Sequence, residues 1–398
     1  MKLNNSVVFA AAGNGKTYSI CAQAISLAQK TKKEILLVTY TNEGVSSLET
    51  EYRKQNYGII DANVKITTWF SFLLAEFIRP YQCLLHFKCK KGKNNEINIT
   101  IPENYIKSIA FYQKDVPIYY NQTHIQYYLN SGKDIFKDRV SHLACLCEDQ
   151  SLGKAIARLE TMYSHAFFDE LQDYAGWDLE ILMKLFASNI SVTCVGDFKQ
   201  ATFRTNNSLK YKQYRDDKIK LFFEAQSKEG LCCIKYENTT RRFNQDICDY
   251  INTIYNDAES AIIPCPNFCA ETADNIGVYV IDIEYANLYC KFYAPTVLRY
   301  DKRTVPSFQN YKEIFNYGNS KGSTFERVAI IPVKTVLPFI LNGTAIKAPQ
   351  TRSKFYVACT RAKHSVVFFI KGFNGSALYV KKNMKIGDVT FPVYKFKK

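Results

Sequence analysis

The sequence predicts an α/β protein with parallel sheets and helices on both faces. Three observations carry this. Short apolar runs, Val7-Val8-Phe9 and "EILLVTYT" (Glu34 to Thr41) among them, alternate with segments of helical periodicity. The alternation lapses near Tyr81 and resumes at "HAFFDE". The first run leads directly into a glycine-rich loop, "AAAGNGKT", placed as phosphate loops are, after a strand and before a helix.

Taken in order, a helix is expected after the loop, with Ile20, Ala24, Ile25 and Ala28 at helical spacing. The strand ending at Thr41 precedes a helix over Glu43 to Gln55. "VKITT" is a third strand, and "WFSFLLAEFIRPY" is an apolar helix stopped by Pro80. Residues 81–164 read as an inserted, mainly helical subdomain containing a basic loop, "KCKKGKNNEINIT". Ala166-Phe167-Phe168 restores the strand pattern, followed by a helix from Gly176 to Ala187 and the strand "SVTCVGD". A second α/β unit opens near "LCCIKYE". It holds a helix at Asn244–Tyr255, the strands "GVYVID", "RVAIIPV" and "SVVFFI", and a helix around "KFYVACTRA".

Composition sets limits. The 398 residues are 47% hydrophobic and 22% charged, ordinary for a globular chain. A formal charge of +15 favours a polyanionic partner, although abundant Lys, Asn, Ile and Tyr also fit a biased genome. No apolar run of about 18 residues occurs, so no membrane association is expected. The start "MKLN" lacks a signal-peptide pattern. The expected location is the cytoplasm, with the thirteen cysteines reduced. Cys265 and Cys269 in "CPNFC" have a spacing that zinc ligands use, but no second pair completes a site.

The phosphate-loop pattern is GxxxxGK[ST]; here Ala10 stands at its first glycine. The helix N-terminus beyond it offers free N–H groups and a positive dipole end. Lys16 is placed to hold the β- and γ-phosphates of a nucleotide, and Thr17 to bind Mg²⁺. In "FFDELQD", Asp169 and Glu170 follow an apolar strand. One acidic residue there completes the Mg²⁺ shell and a second can polarise the attacking water. A helix-capping Asp-Glu pair is the alternative.

These segments, with others in fixed order, resemble the UvrD/Rep-type DNA helicases of superfamily 1A. "AAAGNGKT" is similar to the AGAGSGKT loop of that family and "DELQD" to its DExQD motif. "LVTYTNEGVSSLETEYR" resembles motif Ia, "ITTWFSFLLAEFIRPY" motif Ib, and "VGDFKQATF" motif III. "TTRRFNQDI" resembles motif IV, "NSKGSTFERVAII" motif V, and "FYVACTRAKHSVV" motif VI. The resemblance implies two RecA-like P-loop NTPase domains. Residues 1–80 and 165–228 would be domain 1A, with 81–164 a 1B-like helical insertion. Residues 229–398 would be domain 2A, with 2B absent or vestigial.

The resemblance also implies roles. ATP would be bound between the two lobes by Ala12, Gly13, Asn14, Gly15, Lys16 and Thr17, with Arg241 stacking on the base. Thr17 and Asp169 would hold Mg²⁺. Glu170 would be the catalytic base, Gln200 the γ-phosphate sensor, and Arg242 and Arg361 arginine fingers. A dipole-complementing charge at a helix C-terminus is the plainer reading of Arg361. Thr41, Asn42 and Thr68 would hold DNA phosphates, while Tyr40 and Trp69 could stack on bases. Core packing competes with stacking for Trp69.

Departures are visible. The adenine-reading Q-motif of the family lies upstream of the loop, where this sequence shows about nine residues, so adenine selectivity is left open. Motif III ends "TFRTNNS", without the stacking aromatic, and motif V has Gly318 for His. Little chain separates motifs IV and V, as in compact UvrD-like subunits of Gabija-type anti-phage systems. That likeness implies a partner such as an OLD-type ATPase–nuclease. The expected activity is ATP-dependent translocation on single-stranded or tailed DNA, 3′ to 5′. The alternative is a DNA-stimulated ATPase subunit that switches a partner nuclease without unwinding.

Overall fold

The computed structural model describes residues 5–91, 95–111, 120–202, 208–266 and 274–397. Residues 92–94 of the basic loop, most of the "TFRTNNS" ending and Cys269 lie outside the described residues. The chain divides into two compact units. The first takes in Met1–Val8, Lys16–Gly196 and Arg204–Lys235; the second takes in Phe9–Gly15, Asp197–Phe203 and Tyr236–Lys398.

The architecture is the expected α/β one, with two RecA-like domains. In the first unit a six-stranded sheet runs in the order Cys233–Glu237, Ser6–Ala10, Ser191–Gly196, Tyr163–Phe168, Glu34–Thr39, Val64–Thr68. The registered pairs are parallel: Val38 lies opposite Thr67 on one side and Phe168 on the other. Helices Lys16–Ala28 and Asn42–Gln55 cover one face, where Ile20, Cys21, Ala24, Leu48 and Tyr52 pack on Ile35, Leu37, Phe167 and Val195. Trp69 meets Phe168 edge-on, 5.8 Å between centroids.

Two sequence expectations change here. The strand Cys233–Glu237 forms the edge of the first sheet instead of opening a second one; the Cys233 N–H bonds to the Asn5 carbonyl at 3.0 Å. The helix after Thr68 also does not stop at Pro80. A widened, π-type turn over Leu74–Ile78 carries it on, and Arg79 N–H bonds back five residues to Leu74. A final turn, Arg79–Tyr81, follows. Pro80 stands near the start of that turn, where a missing N–H costs least.

The insertion contains helices Val140–Gln150 and Lys154–Met162, a hairpin of His86–Lys90 with Glu96–Thr100, and a two-stranded pair of Ile109–Ala110 with Ile135–Phe136.

The second unit is built on a seven-stranded sheet. Its order is Ile314–Asn316, Thr296–Arg299, Phe325–Ile330, Ala362–Phe369, Gly277–Ile281, Val389–Phe396, Tyr379–Ile386. The first five are parallel and the C-terminal hairpin is antiparallel. Side chains alternate between two cores: Val278, Val280, Val366 and Phe368 enter one, and Tyr279, Ile281, Val367 and Phe369 the other. Burial on both faces explains why these strands read as continuous apolar runs. Helix Gln245–Tyr255, capped by Asn244, and helix Pro349–Cys359 bury their apolar sides in the first of these cores.

Candidate nucleotide site

The strand Ser6–Ala10 hands the chain to a tight loop in which Gly13 and Gly15 have φ of +77° and +95°. L side chains rarely adopt that region, so glycine is needed at both. Gly13 is needed twice over: a Cβ there would lie 2.6 Å from both Arg242 Cβ and Thr240 Oγ1. The loop is held by the segment beginning at Glu237. Ala11 N–H donates to the Glu237 carbonyl at 2.8 Å, Thr240 Oγ1 to the Ala12 carbonyl at 2.8 Å, and Arg241 N–H to the Gly13 carbonyl at 2.9 Å. Asn14 Nδ2 donates to the Thr239 carbonyl at 3.1 Å.

Lys16 and Thr17 open the helix Lys16–Ala28, which has no acidic residue in its first turn. No acidic side chain in that turn competes for the positive end of its dipole, which favours an anion. Both side chains are half-buried.

Asp169, 7% exposed, follows the strand Tyr163–Phe168, and its N–H bonds to the Val38 carbonyl at 2.8 Å. One carboxylate oxygen accepts from Glu170 N–H at 2.8 Å. Glu170 itself sits at φ 55°, ψ 43°. A non-glycine residue in that region is held by its surroundings, as happens at functional positions. Gln172 Nε2 donates to the Glu170 carboxylate. Gly196, at the end of the neighbouring strand, makes room for this turn: a Cβ there would stand 2.6 Å from Gln172 Oε1.

The oxygens of Thr17 and Asp169 are of the chemical kind that a nucleotide-borne Mg²⁺ takes. Thr17 and Asp169 supply hard oxygens. Among the described residues no group of three or more His, Cys, Asp or Glu forms a cage. A cation carried on phosphates takes only one or two protein oxygens.

The remaining candidates for hydrolysis meet inside the second unit. Gln200, 6% exposed, donates through Nε2 to Asp197 Oδ2 at 2.7 Å. Its Oε1 accepts from Arg361 Nη2 at 3.3 Å. Arg361 is 1% exposed; it also donates to the Val357 carbonyl at 3.0 Å, the Ser323 carbonyl at 3.3 Å and Thr360 Oγ1 at 3.1 Å. Val357 belongs to the last turn of helix Pro349–Cys359. Arg361 thus does satisfy a helix C-terminus, and it reaches Gln200 as well. Arg242 Nη1 donates to the Thr360 carbonyl at 3.0 Å. Burial lowers the Arg242 pKa, opposed by Tyr356 and Asp197. The Tyr356 hydroxyl donates to Asp197 Oδ2 at 3.2 Å. Its own pKa is raised well above the usual value, first by burial and then by Asp197. Arg241 is exposed.

Among the expected DNA contacts, Thr41 and Thr68 sit at the C-terminal ends of adjacent parallel strands and cap helices. Thr41 Oγ1 accepts from Gly44 N–H at 3.0 Å, and Thr68 Oγ1 from Ser71 N–H at 3.1 Å. Thr41 and Asn42 are exposed. The aromatic pair is placed differently. Trp69 is fully buried, donates from Nε1 to Asp178 Oδ1 at 2.8 Å, and packs on Tyr174 at 4.9 Å. Its place is core packing, and base stacking is closed to it. Tyr40 is half-buried and edge-on to Phe70 at 5.1 Å.

Sequence reasoning passed over Gln172, Asp197 and Thr360, which position Glu170, Gln200 and the two arginines. The only signal was their place inside the quoted motifs.

No curated protein matches the chain in sequence. Among solved structures, Arterivirus nonstructural protein 10 (helicase) in complex with DNA is similar at 12% identity and a TM-score of 0.44, over 94% of this chain and 62% of that one. A crystal structure of the same Arterivirus protein is similar at 13% identity and a TM-score of 0.44, over 93% and 60%. The chain therefore spans less than two thirds of the length of these helicase chains. The sequence profile described as AAA domain, AAA_19, matches residues 1–205. That stretch carries the phosphate loop, the Asp169–Glu170 pair and Gln200, and this chain belongs to the AAA_19 family of AAA domains.

Proposed function

We propose that the chain is an ATP-dependent DNA helicase or translocase of the UvrD/Rep type. It acts on single-stranded or tailed DNA, 3′ to 5′, in phage defence or DNA repair. The observation that carries this reading is the chain of contacts from Asp197 through Gln200, Arg361 and Thr360 to Arg242. Phosphoryl transfer spreads negative charge over the γ-phosphate oxygens, and pre-placed arginines stabilise that charge without reorganising. Gln200, bonded to Arg361, lets the phosphate sensor and an arginine finger move together.

Lys16 and the N–H groups of its helix bind the phosphates. Glu170, aimed by Gln172, takes the proton of the attacking water. Thr17 and Asp169 would hold Mg²⁺, which when bound neutralises phosphate charge. Thr41, Asn42 and Thr68 are offered as contacts for strand phosphates, since helix N-termini at the carboxyl edge of a parallel sheet favour anions. An ATPase–nuclease of the OLD type is the partner class proposed for a defence role.

The test is ATP hydrolysis with and without single-stranded DNA, and strand displacement on a 3′-tailed duplex. Lys16→Ala and Glu170→Gln should each abolish turnover with the fold retained. Wild-type turnover in either variant would overturn the site assignment. Stimulated hydrolysis without displacement would favour the regulatory ATPase, a reading that the motif III ending supports.

A further inference from the structure

A second cavity lies in the first unit, apart from the nucleotide residues. Its volume is about 390 Å³ and its lining includes Tyr127, Arg139, Trp177 and Lys210. Each cation rests on an aromatic face: the Arg139 guanidinium is 3.9 Å from the Tyr127 ring centre and Lys210 Nζ is 4.2 Å from that of Trp177. Among the described residues Arg139 Nε is buried with no hydrogen-bond partner. A buried donor left unmade is costly and points to a missing acceptor. Arg139 is also the N-cap residue of helix Val140–Gln150, which has neither a side-chain cap nor an acidic residue in its first turn. The turn Lys137–Arg139, with Asp138 in it, leads into this helix and its Lys137 carbonyl accepts the Val140 N–H, so the guanidinium is the cation here.

The local field has a witness. His142 stacks on Trp177 at 4.0 Å, and its pKa is pushed down to about 4 by burial, by Arg139 and by Lys210. Negative groups are close as well: Asp149 opposes the shift at His142, Asp138 precedes Arg139 in the chain, and Glu180 accepts from Lys210 at 2.9 Å. Lys210 is thereby half neutralised, which leaves Arg139 as the principal cation.

We propose that this cavity binds a phosphate group, with Arg139 as its main donor and Lys210 as a second. Planar guanidinium on an aromatic ring is rigid and well suited to a phosphate oxyanion. The phosphate could belong to a DNA strand or to a free anion. Only the strand source rests on the reading under Proposed function.

The experiment uses the full chain and follows tryptophan emission. Trp69 is fully buried, so Trp177 reports. Inorganic phosphate, ATP and an oligothymidylate are titrated separately at fixed ionic strength, with Arg139→Gln and Arg139→Lys as variants. A saturable response is expected, weakened about tenfold in Arg139→Gln and less in Arg139→Lys. Saturation by the oligonucleotide alone assigns the site to a DNA strand, and saturation by inorganic phosphate assigns it to a free anion. A response to ATP alone that Lys16→Ala removes belongs to the nucleotide site and overturns the proposal. So does the absence of any response, or an affinity unmoved in Arg139→Gln whose melting matches wild type. ATP hydrolysis is measured on the same samples, so loss of the ATPase reading registers separately.

Discussion

Arg361 and Gln200 are joined side chain to side chain, Nη2 to Oε1 at 3.3 Å, although 161 positions separate them in sequence. The other end of the same Gln200 amide is held by Asp197 at 2.7 Å. The segments "VGDFKQATF" and "FYVACTRAKHSVV" thus share one buried polar network, and its members should act as a unit. Gln200→Ala and Arg361→Lys should each lower turnover about 100-fold. The double variant should fall little further, because the second change removes an interaction already lost. Steady-state ATP hydrolysis across the four proteins checks this.

Glu170 depends on Gln172 for its aim. If Glu170 is the base, as proposed, Gln172→Ala should lower kcat about tenfold or more and leave the KM for ATP near wild type, because the base would be misplaced while phosphate binding is untouched. Equal changes in both constants would count against this positioning role.

Gly13 is constrained by both φ and space, whereas Gly58, at φ +87°, has no atom of the described residues within 4 Å of a built Cβ. Gly13→Ala should therefore cost about 1–3 kcal/mol more than Gly58→Ala. It should also weaken nucleotide binding, because the loop can relieve the contact only by shifting. Thermal melting compares the stabilities, and a fluorescent ATP analogue compares the affinities.

Trp69→Phe keeps the ring packing and removes the bond to Asp178. Asp178 retains Ser141 and the Ala175 N–H as donors. A loss of about 1–3 kcal/mol is expected for the weakened buried carboxylate, with affinity for single-stranded DNA unchanged. Urea denaturation and fluorescence anisotropy separate the two effects.

His142 predicts a pH dependence. In the folded chain its pKa is pushed down to about 4, first by burial, then by Arg139 and Lys210, with Asp149 opposing. Unfolded, it takes up its proton near the ordinary 6.5. Its contribution is therefore complete above pH 6.5 and is lost as pH falls toward 4, on the order of 3 kcal/mol over that window. Burial lowers the His165 pKa as well, in the same direction. The urea midpoint of the wild type should drop more steeply from pH 7 to pH 4.5 than that of His142→Gln.

What the sequence alone determined was local. Apolar runs and helical periodicities place most strands and helices of both sheets, because burial on two faces writes itself into consecutive residues. The glycine loop between a strand and a helix, and the Asp169–Glu170 pair after another strand, were legible because each pattern ties fixed residue types to a strand end. Tertiary structure decided what depends on partners distant in sequence. Cys233–Glu237 joined the first sheet because Asn5 and the strand Ser6–Ala10 offered it an edge. Trp69 went inward because Asp178 could satisfy its indole N–H. Arg361 closes a helix, the plainer of its two sequence readings, and also meets Gln200, a contact that the sequence did not pose. In each case the deciding interaction is a hydrogen bond or packing contact whose partner no local pattern specifies.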